Sequence, residues 1–435
     1  MKLRRHHRLL AVAAAMLLGL TACGGDDDAG DTETDTGGGE TSTEEMTGGE
    51  TGGDGTEAGG EAPSGDPINI GLLTSFTGPF TPWGLQVQAG MNLAVEEINA
   101  DGGVEGRPLA IVEADDQNNP DEGVTALERM VEQDGVVAVG GVISSDVGLA
   151  SARTAEELET PLFMVKGGAA EILTPDSRYT FRTCLPSAPM TAAPLAQYIE
   201  DEGLTKVGAI IADYAWGQSV RSALEEEVGG LDGVELQIEV APVGEQDFTT
   251  YLRSLQEFDP DIIAATGHPP GTGPIMLQAT DLGIDVPVTG PYAVLPTVIE
   301  GAGDVAYDRY VDYDCADYSS DDYQELAARF AESSDLGFMD DDAVAGYGIV
   351  TMVAEAVAEV GDDPAAVAEY LHGNSFDLPG YAFEMGWTEW GELANAAPAL
   401  SIIRGEAPPE GVNPGADWYP EVLLVPEPLE PYEPQ

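Results

Sequence analysis

From Ile68 onward the chain alternates short β-rich runs with amphipathic segments, and this alternation limits the fold more than any other feature. INIGLLTSF reads as a buried strand, and Met91, Ala94, Val95 and Ile98 follow it at helical spacing. Asp101-Gly102-Gly103 ends that helix, and PLAIVEADD is the next strand. Val124, Leu127, Met130 and Val131 mark a second helix, after which Asp134-Gly135 leads into VVAVGGVIS. A third helix around residues 150–158 precedes PLFMVK. Beyond Cys184 the rhythm restarts. Helices are expected over 191–200, 217–228, 248–258 and 274–282, interleaved with KVGAIIAD, a strand over 234–240, DIIAAT and VPVTG. Such a β-α-β-α order predicts an α/β fold of two doubly wound parallel-sheet lobes. Ligands in these sheets bind beyond the carboxyl ends of the strands, so the two lobes should face each other across a cleft. The last forty residues, rich in Pro and Glu, are expected to run along the surface.

The first residues speak of location. Lys2, Arg4, Arg5 and Arg8 precede an apolar run over residues 9–20, which is the physical pattern of an export signal. That run is shorter than the roughly 20 apolar residues a bilayer crossing needs. Leu20-Thr21-Ala22-Cys23 then resembles a lipobox, the signal that makes a cysteine the lipidated first residue of a bacterial-type lipoprotein. The expectation is a signal peptide over 1–22 and a lipid anchor on Cys23, placing the protein outside the cytoplasm on the cell membrane. Residues 24–66 hold mostly Gly, Thr, Asp and Glu, with no Lys or Arg, a composition that predicts a flexible, disordered acidic spacer.

Charge narrows the partners. The chain carries a formal −63. Four of its 16 basic residues lie in the first eight positions and 14 of its 79 acids between Asp26 and Asp66, leaving 65 acids against 12 bases in residues 67–435. Repulsion on that scale argues against nucleic acid or an anionic membrane surface, so the membrane is met through the lipid anchor alone. A Lys-poor acidic surface suits a halophilic setting, where salt shortens the reach of repulsion. Beyond Cys23 the cysteines are Cys184 and Cys315, and the histidines of the body, His268 and His372, lack ligand-like spacing. No metal and no cofactor are expected. Neither a Gly-x-Ser-x-Gly elbow nor a phosphate-binding Walker loop occurs, so the chain is read as a binder, not an enzyme.

Several loops carry a family resemblance. IGLLTSFTGPFTPWG, INADGGVEGRPLAIVEADDQNNP, VVAVGGVISSDVG, DSRYTFRTCLPS and EQDFTTYLRSLQEFDPDIIAATG resemble, in order and spacing, the type I periplasmic binding proteins, above all their leucine/isoleucine/valine-binding branch. The likeness runs from about Ile68 to Trp390. It implies an extracytoplasmic solute receptor that closes two lobes over a small organic ligand and delivers it to the permease subunits of an ABC importer. A ligand-sensing receptor of the same fold, signalling to a membrane partner, is the alternative. The implied lobes are 67–183 with 316–372, and 184–315 with 373–435, joined by three hinge crossings.

The resemblance also implies a binding set. Ser144 holds the family's carboxylate-binding serine position, with Ser145 beside it where a helix begins. Gly167, Gly168 and Ala169 stand where the family has Ala-Ala-Thr, and Lys166 is either a cation for a carboxylate or a solvated rim residue. Trp83 and Trp216 correspond to aromatic walls in opposite lobes. His268 replaces a family Tyr, and Tyr292 replaces the Glu that pairs with a ligand ammonium group. Either another acid substitutes, with Asp146 and Asp213 as candidates, or the ligand is a carboxylate, amide or aromatic compound without an ammonium group. Cys184 and Cys315 both fall on implied crossings, near enough for a disulfide to be expected as one outcome.

Overall fold

A computed structural model describes residues 63–267, 271–290, 293–409 and 411–434. Cys23, the signal segment and nearly all of the spacer lie outside the described residues, and so do His268 and Tyr292.

The chain first lays down β1 (Ile68–Thr74), α1 (Thr81–Ala100), β2 (Leu109–Asp115), α2 (Pro120–Glu132), β3 (Ala138–Val142), α3 (Ser145–Leu158), β4 (Leu162–Met164) and β5 (Thr180–Arg182). The five strands form one parallel sheet in the order β2-β1-β3-β4-β5. Side chains alternate across it, as strand geometry requires. Ile70 and Leu72 share a core with Val87 and Met91 of α1, while Leu73 and Val139 share the other with Leu127, Met130 and Val147 of α2 and α3. Helices therefore cover both faces, as the periodicity predicts.

The second series is α4 (Ala188–Glu202), β6 (Lys206–Ala212), α5 (Ala215–Glu227), β7 (Glu235–Ala241), α6 (Thr249–Phe258), β8 (Ile262–Thr266), α7 (Thr272–Asp281), β9 (Val288–Thr289), α8 (Leu295–Ala302) and β10 (Tyr310–Asp314). Three helices follow, α9 (Asp321–Ser333), α10 (Asp341–Val360) and α11 (Pro364–Gly373), and then β11 (Ala399–Arg404) and β12 (Tyr419–Leu424). The second sheet runs β12-β11-β10-β9-β8-β6-β7. Its strands from β6 to β10 are parallel, whereas β11 and β12 add antiparallel. The C-terminal stretch thus departs from the expected surface path. In β11, Ala399, Ser401 and Ile403 alternate inward, and that period-two pattern outweighs the Pro and Glu around it.

With α10 the chain returns to the first lobe. A Cβ added at Gly90 of α1 would stand 2.0 Å from the Ala343 carbonyl oxygen, so the two helices meet backbone to backbone. α10 is long and apolar enough to cross a membrane, but most of it is buried inside the lobe. Cys184, just past β5, is disulfide-bonded to Cys315, just past β10, with the two Cα atoms 5.2 Å apart. The bond ties together the first two passages of chain between the sheets.

Candidate functional site

At the carboxyl edge of the first sheet, β3 lies between β1 and β4. The backbone N–H groups of Val165 and Lys166 both donate to the Val142 carbonyl, which holds the loop after β4 beside residues 143–145. Ser144 is the N-cap of α3. It is fully buried, its side chain makes no cap bond, and its Oγ finds no partner among the described residues. The neighbouring Ser145 behaves differently, because its Oγ accepts hydrogen bonds from the N–H groups of Gly168 and Ala169, each at 3.1 Å. Ser144 is therefore the open hydroxyl, set where the unpaired N–H groups of a helix start favour an anion. Thr74 Oγ1 at the end of β1 and Trp83 Nε1 in the first turn of α1 are likewise buried without partners among the described residues. Asp115 and Asp116 position this corner. Asp115 accepts from the Phe76 N–H and the Thr77 hydroxyl, and Asp116 from the Ser75 hydroxyl at 2.6 Å.

The 167–169 loop is held from behind. The buried Arg182 guanidinium donates to the carbonyls of Gly167 and Ala169 and pairs through Nε with Glu392 at 3.1 Å. Burial lowers the Arg182 guanidinium and raises the Glu392 carboxyl, each opposed by the charge of the other. With two carbonyls and two N–H groups of the loop bonded in this way, Gly168 is held against the other lobe. An added Cβ there would stand 2.4 Å from the Trp216 ring and 2.6 Å from Leu185, so only glycine fits.

The second lobe answers from the ends of β6 and β8. Trp216, buried in the first turn of α5, donates through Nε1 to Thr266 Oγ1 at 3.0 Å, which fixes its ring against Gly168. Trp83 stacks on Phe80, and Phe80 meets Tyr214 with ring centroids 5.5 Å apart. Tyr214 is pushed above the usual tyrosine range by burial and by Asp146, so its hydroxyl stays neutral. Asp146 Oδ1 accepts from the Ala215 N–H at 3.1 Å, and Ser219 Oγ accepts from the Ala170 N–H at 3.0 Å; both bonds span the lobes. Asp213 is exposed and faces Gln218. Of the two acids weighed as counter-charges, one thus caps a helix across the cleft and the other points outward.

Lys166 is neither solvated nor on the rim. It is 4 % exposed, with Nζ 2.5 Å from Asp341 and 3.4 Å from Asp342. Burial works to lower its ammonium, but the charges of Asp341, Asp342 and Asp340 outweigh it and hold the group above the usual lysine range. Asp340 caps α10 and also accepts the Leu295 N–H of α8, at 2.9 Å, from the second lobe. Asp312 and Asp314 of β10 complete a buried acidic group. Asp312, Asp314, Asp340 and Asp342 are all pushed well above the usual carboxylate range, by burial first and then by Asp341 nearby. Sequence reasoning missed these acids, since in so acidic a chain Asp340-Asp341-Asp342 reads as a solvated helix start. The signal that could have found them is the apolar run that follows at once, AVAGYGIVTMVAEAV, which marks a buried helix.

A groove of about 570 Å³ opens to solvent over this region, lined by Pro79, Pro82 and Gln86 on one side and by Gly244, Val294 and Pro296 on the other. Gln86 links the groove to the acids, bonding the Phe338 carbonyl and the Asp340 N–H. A groove of about 670 Å³ beside Arg178, Asp363 and His372 lies at the opposite end of β5 and shares none of this machinery.

Comparison with known proteins agrees with the geometry. The chain is 27 % identical over 335 residues to the leucine-, isoleucine-, valine-, threonine- and alanine-binding protein of Pseudomonas aeruginosa, covering 76 % of this chain and 88 % of that one. Among solved structures it resembles an R. palustris solute-binding protein of an ABC transporter in complex with benzoate, with TM-score 0.72 and 18 % identity over 85 % of this chain and 99 % of that one. A leucine-binding protein from Thermotoga maritima gives TM-score 0.69 and 21 % identity over 82 % and 98 %. The family model described as periplasmic binding protein matches residues 67–405, and the chain belongs to that family.

Proposed function

We propose that this protein is the solute receptor of an ABC importer, closing its two lobes over a small carboxylate-bearing molecule and presenting the closed form to membrane permease subunits. The observation that carries the reading is the fully buried Ser144 hydroxyl, left without a partner at the start of α3. A carboxylate there would meet both the hydroxyl and the positive end of the helix. The solutes named for the related proteins, leucine, isoleucine, valine and benzoate, all carry that group. Trp83 and Trp216 would wall the remainder of the molecule from opposite lobes, and Gly168 would let the second wall approach. Tyr292 and His268 would complete the second-lobe side. Closure would be a population shift, stabilised by whatever touches both lobes at once. Cys23 would carry the lipid, with the acidic spacer holding the receptor off the membrane.

The test is isothermal titration of the full-length protein with leucine, isoleucine, valine, benzoate and their primary amides. Binding of acids with loss of binding for the amides supports the reading. Equal binding of acid and amide would sink the Ser144 assignment.

A further inference from the structure

The chain ends in a repeat of period three. After β12 and Val425 come Pro426-Glu427-Pro428, Leu429-Glu430-Pro431 and Tyr432-Glu433-Pro434. A polyproline II helix has three residues per turn, so in that conformation Pro426, Leu429 and Tyr432 share one face and the three glutamates another. Burial follows the same division. Glu427, Glu430 and Glu433 are exposed, whereas Leu429 and Tyr432 are partly buried against the core. The segment belongs to no helix or strand. Its prolines fix φ near about −65°, so holding it extended costs little conformational entropy. Both β12 and this tail lie beyond residue 405, where the match to the family ends.

The tail runs from one lobe to the other. Residues 387–391 belong to the first lobe: Trp387 Nε1 donates to the Arg182 carbonyl at the end of β5, and the Gly391 carbonyl accepts the Arg182 N–H. Ala399 opens β11 in the second sheet, so residues 393–398 are the third passage of chain between the lobes. Leu424 of β12 pairs with Leu400 at the start of β11. From there the tail retraces the third passage in the opposite direction. The Leu429 N–H donates to the Ala396 carbonyl at 2.8 Å, within the passage itself. The Tyr432 carbonyl then accepts from Trp390 Nε1 at 3.1 Å, and the half-buried Trp390 packs on the core of the first sheet. A stiff segment rooted in the second sheet is thus fastened to the first lobe.

We propose that residues 426–434 are a strap across the hinge, a fourth passage between the lobes that limits how far they part. The inference rests on the reading that the lobes open and close, and it needs no particular solute. Hinge bending moves the root of the strap in β12 relative to Trp390. A flexible tail would follow that motion, whereas one stiffened at Pro426, Pro428 and Pro431 resists it. The backbone N–H groups of Ala170, Ala215 and Leu295 report on parting, since each is bonded to a side chain of the opposite lobe, on Ser219, Asp146 and Asp340.

Amide hydrogen exchange of the solute-free, full-length protein tests this. It is compared with a chain ending at Val425 and with a Leu429→Gly, Tyr432→Gly double variant, which keeps the tail but not its inward face. The amides of Val139 and Ile263, bonded within the two sheets, serve as controls for global unfolding. In the unmodified protein the three reporter amides should exchange faster than the controls. Both variants should speed the reporters by about fivefold or more, the scale of one lost hydrogen bond, and leave the controls unchanged. Unchanged reporters in either variant that folds overturn the strap, and the two-lobed closure then still stands. Equal acceleration of reporters and controls also overturns it, because the tail would then only hold the fold together. Reporters as slow as the controls in the unmodified protein would mean the lobes do not part, and the closure reading and the strap would fall together.

Discussion

Asp146 of the first lobe accepts a hydrogen bond from the backbone N–H of Ala215, the first residue of α5 in the second lobe, at 3.1 Å. An acid on one lobe thus serves as the missing cap of a helix on the other, since the α5 N-cap residue, Tyr214, provides no side-chain bond. The contact exists only while the lobes touch. Asp146→Ala should therefore weaken solute affinity by about three- to tenfold, in line with a charged cap of roughly 1 kcal/mol. Titration calorimetry with small-angle scattering checks this; a variant that binds normally and stays equally compact would show that the bond contributes nothing to closure.

Gly168 offers a sharper steric test. A methyl group there would collide with Trp216 and Leu185. Gly168→Ala should lower solute affinity by about fivefold or more, the scale of an overpacked contact costing about 1–3 kcal/mol, because the second lobe can no longer seat its tryptophan. Quenching of tryptophan fluorescence on solute addition should fall with it. Retention of full affinity would mean the two lobes do not close on this contact.

The acid group predicts an unusual pH dependence. Asp312, Asp314, Asp340 and Asp342 have folded-state pKa values raised by burial and by Asp341. Their contribution to stability is full below the ordinary carboxylate pKa of about 4 and is lost as pH rises through the raised values. Solvent-facing acids of the opposite kind, such as Asp261, lowered by the Thr205 and Lys206 N–H groups, lose their contribution only when pH falls through their own low values. Between about pH 5 and pH 8 the buried group should therefore dominate, and the solute-free protein should melt higher at the acidic end. An Asp312→Asn, Asp342→Asn double variant should flatten that slope in differential scanning calorimetry. Identical slopes would show that the acids do not titrate in this window.

The Cys184–Cys315 bond closes a loop with a sequence separation of 131 residues. Chain-entropy reasoning puts its contribution at about 5 kcal/mol as an upper figure. Replacement of both cysteines by serine should lower the melting temperature by several degrees while leaving solute affinity nearly unchanged. A larger loss of affinity than of stability would mean the bond sets the angle between the lobes.

The parts of the fold that were legible are those whose information is local. Met91 and Ala94 in α1, or Leu127 and Met130 in α2, declare a helix by spacing alone, and Ser144 is readable because a strand-to-helix junction is a short-range event. What stayed hidden depends on distant partners. Lys166 was visible, but Asp341 lies far along the chain and on a helix that composition disguised. Asp146 was recognised as an acid near the cleft, yet nothing in its neighbours announces that Ala215 would present an open N–H. Ile403 and its strand were concealed by the prolines around them, because period-two alternation over six residues is a weak signal in a Pro- and Glu-rich segment.

The placement of α10 and β11 carries a further consequence, for the order in which the molecule can assemble. The helix layer that α1 begins on the first sheet is incomplete until α10 packs beside it, and β10 has an open edge until β11 pairs with it. Both pieces come from the last third of the chain. Neither lobe can finish folding by itself from the amino end, and a chain that stops after α11 would present β10 as a bare template for other strands. Such non-local closure is slow by nature. The two-lobed receptor is in this sense one cooperative folding unit, completed only when its final strands arrive.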